Sequence, residues 1–158
     1  MKAATLRDIK KELSALSNSE VIEICLRLTR FKKENKELLT YLLFESFNEA
    51  DYIDSIKKYM DEEFELINKS SFFYIRKSTR KILRNVKKYI RYSQKKETEV
   101  ELLLYFCEKL KAFKPNIFRS TQLSNLYKRQ LELAKKIISK LHEDLQYDYR
   151  MIIEEIES

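Results

Sequence analysis

The sequence has no glycine and a single proline, Pro115, in 158 residues. At average usage, near 7%, about eleven glycines are expected in a chain this long. Glycine takes positive φ without steric cost, so its absence removes the tight turns that close two-residue β-hairpins. The phosphate-cradling loops of P-loop and Rossmann nucleotide enzymes go too, because both need backbone to approach phosphate closely. The G-x-S-x-G nucleophile turn is excluded on the same ground. Helices joined by short Asn, Ser and Lys connections remain. The expected fold is all-α, an irregular multi-helix bundle or short αα-hairpin stack of about seven or eight helices, with residues 1–158 forming one domain.

Histidine is equally scarce. His142 is the only one, so the two-histidine zinc helix motif cannot form. Ser139 stands three residues before it, where a di-iron bundle would need glutamate. Cys25 and Cys107 lie 82 positions apart, each inside an apolar helical stretch, and read as buried small hydrophobes rather than a disulfide or metal pair. Glu23 and Glu101 interrupt apolar stretches and are expected to point outward. No catalytic, cofactor-binding or metal-binding residue is assigned, no cofactor is implied, and the chain does not read as an enzyme. The longest apolar run, Leu102 to Cys107, is far short of the roughly 20 residues a membrane span needs. The N-terminus runs straight from Thr5 into charged residues with no apolar leader, which points to the cytoplasm.

The hydrophobic spacing is helical along the whole chain. Leu6, Ile9, Leu13 and Leu16 mark a first helix, and Ser17 with Glu20 has capping-box spacing for a second over about 19–32. Asn35 is expected to take the left-handed turn a glycine would otherwise supply, with a third helix running on to about Ser46. The segment 49–66 is an acidic helix of net charge −5 ended by Asn68-Lys69-Ser70-Ser71. A long basic helix follows to about Gln94, then a nearly all-round apolar helix over 97–113 that belongs deep in the packing. Lys114-Pro115-Asn116 is a loop, Ser120 can cap a seventh helix, and the stretch from Glu143 is acidic again, net −5.

One segment has a distinctive chemistry. Residues 69–96 hold eleven basic residues and no acidic one, whereas the whole chain is only +7. The rest of the molecule is therefore net negative, and the positive charge is local. At about 100° per residue, Lys77, Lys81, Arg84, Lys88 and Arg91 fall within an arc of roughly 80°, and Arg76, Arg80 and Lys87 extend it on one side. Ile75, Thr79, Ile82, Val86, Tyr89 and Ile90 occupy the opposite side. Such a helix docks by its apolar face and presents a basic ridge roughly 21 Å long.

Three roles suit that ridge. It could bind nucleic-acid phosphates; five contacts to a duplex would give a log–log salt slope of about −4.5. It could be neutralised internally by the two acidic helices, each exposed pair contributing about 0.2–1 kcal/mol. Or it could meet an acidic protein or anionic membrane surface. Phe73, Tyr74 and Tyr92 at its margin suit base stacking and boundary packing alike. No helix-turn-helix is recognisable, so base-specific readout is not indicated.

The run Leu16 to Ile24, followed by Leu28 and by Phe31 to Leu39, resembles the start of small all-helical bacterial proteins grouped as a family of unknown function. The similarity covers about a quarter of the chain and implies a helical fold in a bacterial cytoplasmic setting. Taken together, the sequence points to a non-enzymatic helical interaction module whose distinctive surface is the ridge on the helix around 72–94, with a protein partner or self-association. The alternative is a sequence-tolerant nucleic-acid binder. Arg76, Lys77, Arg80, Lys81, Arg84, Lys87, Lys88 and Arg91 are the candidate anion contacts.

Overall fold

The computed structural model describes all 158 residues. It contains eight α-helices and no strand, together with one π-helical and one 3₁₀ turn. No helix is long and apolar enough to cross a membrane. Residues 1–158, expected as one helical domain, resolve into two compact units, Met1–Phe44 and Glu45–Ser158.

The first unit holds α1 (Leu6–Ser14), α2 (Asn18–Phe31) and α3 (Lys33–Thr40). Thr5 caps α1 by accepting a hydrogen bond from the Asp8 amide. The capping box of Ser17 and Glu20 is formed in both directions, and its hydrogen bonds hold the exposed Glu20 carboxyl below its ordinary value. Asn35 departs from expectation: it is not left-handed but sits inside α3. A single extended residue, Lys32, separates α2 from α3, and the Asn35 Nδ2 instead donates to the Leu28 carbonyl at 2.8 Å, tying the two helices together. The helix expected to run to Ser46 stops at Thr40 and opens into a π-turn, Tyr41–Glu45. None of α1, α2 or α3 contributes a buried residue. Their apolar stripes stand open, with Leu6 86%, Leu28 53% and Phe31 78% exposed.

The second unit holds α4 (Glu49–Glu65), α5 (Phe72–Ser93), α6 (Lys96–Ala112), α7 (Thr121–Ile138) and α8 (Glu143–Glu157). α6 is its axis and packs against each of the other four. Val100, Leu102, Leu103, Phe106, Cys107 and Leu110 on it are fully buried, as its all-round apolar sequence implies. Burial alone pushes the Cys107 thiol up to about 12, which leaves it protonated and inert. Cys25 is only partly buried, so the two cysteines do not share the environment the sequence suggested. Ser120 is the N-cap residue of α7, but its side chain makes no capping hydrogen bond.

The turn from α5 to α6 shows what replaces glycine. Gln94 is the one residue with positive φ, at 58°, and closes α5 as a left-handed cap whose amide bonds to the Ile90 carbonyl. Glu49, at the start of α4, anchors this corner. It accepts hydrogen bonds from Ser93 Oγ and from Thr98 Oγ1 (2.6 Å), and pairs with Lys95 Nζ at 2.9 Å. A non-glycine residue in this conformation costs roughly 1–2 kcal/mol, part of which glycine returns as unfolded-state entropy. Gln94→Gly is therefore expected to stabilise the protein by about 0.5–1 kcal/mol, read as a higher urea midpoint at unchanged slope.

Candidate anion-binding surface on α5

The basic segment forms one uninterrupted helix. Ser71 caps it, its hydroxyl accepting from the Tyr74 amide. Ile75, Thr79, Ile82, Leu83, Val86 and Ile90 are buried beneath it, which fixes the rotation of the helix and directs the basic side away from the core. Lys77, Arg80, Lys81, Arg84 and Arg91 are exposed, while Arg76, Lys87 and Lys88 are half-buried. All eight candidate cations therefore share one side of one element, within an arc of about 140°.

Six of the eight have no acidic partner within the protein. Lys81 meets Glu63 of α4 at 3.6 Å, and Lys88 Nζ lies 5.0 Å from the Tyr89 ring centre. Arg76, Lys77, Arg80, Arg84, Lys87 and Arg91 make no ion pair. Other carboxylates of the acidic helices pair away from the ridge. Glu49 takes Lys95, and Asp61 takes Lys109 of α6 at 2.8 Å. From α8, which packs on α6 and α7, Glu157 takes Lys135 of α7 at 2.6 Å. Partial burial pushes the Asp61 carboxyl up, but hydrogen bonds from Lys109 and Tyr105 outweigh it and hold the group below its ordinary value. Burial and the same Asp61 contact push the Tyr105 phenol up to about 12. These groups form a structural network between α4 and α6, away from the six ridge cations that make no ion pair.

Two recesses flank the ridge on the side of α7. One, of about 420 Å³, is lined by Phe73, Arg76, Lys77, Arg80, Lys81 and Arg84 of α5 with Gln122 of α7. The other, of about 490 Å³, lies toward the C-terminal half of α5, where Lys87 and Arg91 face Leu133 of α7 and Glu99 of α6. Arg80 and Arg84 border both. The first has five cations and no carboxylate in its wall; the second has Glu99. Phe73 and Tyr74 stand exposed at the N-terminal end, their rings edge to face at 5.4 Å. Gln122 is a wall residue that sequence reasoning missed, since nothing in its surroundings marks it before the fold brings α7 beside α5.

The other singled-out residues stay away from any such cluster. His142 is exposed and caps α8, its Nδ1 accepting from the Asp144 amide. Glu23 is exposed and Glu101 is half-exposed, paired with Lys57 at 2.5 Å. No group of three His, Cys, Asp or Glu side chains could hold a metal ion. Compared with protein-family models, curated proteins and solved structures, the chain matches none.

Proposed function

We propose that this protein is a non-enzymatic binding module that holds nucleic acid by its phosphates along the basic side of α5, without reading base sequence. The observation that carries this is the set of six ridge cations, Arg76, Lys77, Arg80, Arg84, Lys87 and Arg91, that share one helix side and have no internal carboxylate partner. Cations so arranged release condensed counterions when they meet phosphate. A row about 21 Å long follows a backbone rather than a single small anion. Labelled duplex and single-stranded DNA and RNA of unrelated sequences, titrated at low salt and followed by anisotropy, test the proposal. Binding of similar strength across sequences, weakening steeply with salt, is expected. No binding at low salt removes the reading.

A second reading, self-association, rests on the open apolar faces of α2 and α3. The charges of α2 are divided along its length, with Glu20 and Glu23 in its first half and Arg27 and Arg30 in its second. Two copies of α2 laid antiparallel bring each acidic half beside a basic one, in the self-complementary manner of a two-fold interface. Sedimentation equilibrium is expected to show a dimer that Leu28→Glu converts to monomer. A monomer at all concentrations rules this out.

A further inference from the structure

The acid-free recess at the N-terminal end of the ridge has a composition that selects among nucleic acids. Five of its wall residues are cations, and the sixth residue of α5 in the wall, Phe73, is an aromatic ring 60% exposed to solvent. A large apolar ring left in water beside guanidinium and ammonium groups is poorly placed for the protein's own packing. It is well placed for a ligand that presents a flat π-face and a phosphate together. A nucleotide of an unpaired strand is such a ligand. Its base can leave the stack at little cost and lie on an aromatic ring, while the adjoining phosphates meet the cations. A base held in a duplex cannot do so without being extruded, which costs unstacking and unpairing.

From this, and resting on the reading of the ridge given above, we infer that the preferred ligand is single-stranded nucleic acid, with one base stacked on Phe73 in the recess of Arg76, Lys77, Arg80, Lys81 and Arg84. Gln122 of α7 closes the recess on the far side and offers an amide with both donor and acceptor capacity to the edge of the base. The volume, about 420 Å³, falls within the range of sites that take ligands of nucleotide size. Past Arg84 the strand continues along Lys87 and Arg91, where Glu99 and Leu133 line the wall and phosphate contacts alone hold it.

The test separates the ring from the ridge. A labelled oligothymidylate and a duplex of equal length are titrated against the full chain and two variants. Phe73→Ala is expected to weaken the single strand by about 5- to 100-fold and the duplex by less than about twofold, with the salt slope of each unchanged. The chain has no tryptophan, so Phe73→Trp adds a single indole reporter. Its emission is expected to be quenched when the oligothymidylate binds, with affinity kept. Equal losses for both ligands with Phe73→Ala, or none, together with indole emission that binding leaves unchanged, overturn the stacking inference and leave the ridge intact. Wild-type protein that binds neither ligand at low salt removes both.

Discussion

Reversing Arg80, Arg84 and Arg91 together to glutamate is expected to weaken nucleic-acid binding by at least about 100-fold at 50 mM salt and to flatten the log–log salt slope by about three. These three are suited to the experiment because none makes an ion pair within the protein, so their reversal leaves no carboxylate orphaned and the fold keeps its stability. Arg80 and Arg84 border both recesses and Arg91 lines the second, near the C-terminal end of α5, which spreads the lesion over most of the ridge. The control is the same change of net charge placed on α1 and α3, as Lys10, Lys11 and Lys36 to glutamate. If overall charge steered binding, the two triple variants would behave alike. A local ridge requires the α5 variant to lose far more.

The second large effect concerns the core. Phe106→Ala is expected to cost about 3–5 kcal/mol. Phe106 is completely buried on α6, the helix against which α4, α5, α7 and α8 pack, and its ring lies 5.8 Å from that of Phe64 on α4. Truncating it removes a large apolar transfer term and leaves a cavity between α4 and α6 that backbone relaxation closes only in part. Against a typical total stability of about 5–15 kcal/mol, such a loss brings the second unit near its unfolding threshold. Phe47→Ala is the matched control, an equal truncation of a ring 81% exposed, and is expected to change stability by no more than about 0.5 kcal/mol. Urea unfolding reads both, as midpoints at constant slope.

Much of the architecture is legible before any coordinate. The capping box at Ser17 stands where the sequence places it, and apart from α3, which stops at Thr40, the helix ends fall within a few residues of expectation, because breaks in a glycine-free chain must be marked by Asn, Ser and Lys. The left-handed residue was misplaced, at Asn35 instead of Gln94. The preference of Asn for that conformation is a weak prior, and the tertiary corner built on Glu49, Ser93 and Thr98 decides where the chain must reverse. The stripes of α1 and α2 are also real, yet they bury nothing. Periodicity reports that a helix is two-sided and is silent on what its apolar side meets.

The charge pattern carried a similar ambiguity. Two acidic helices of combined charge nearly opposite to the basic segment invite internal pairing. Only part of that pairing is made: Glu63 of α4 meets Lys81, while Asp61 of α4 and Glu157 of α8 go to Lys109 and Lys135 of the other helices they pack on. Segment totals do not encode which lysine is within reach. The recess beside Phe73 was invisible for the same reason, since Gln122 joins it from a helix nearly fifty residues downstream.

The most direct test of the ridge as a phosphate-binding surface is the salt dependence of duplex affinity for the unmodified protein. Six unpaired cations at about 0.9 per phosphate give an expected log–log slope of about −5. A slope shallower than about −1, or no association at low salt, contradicts the account.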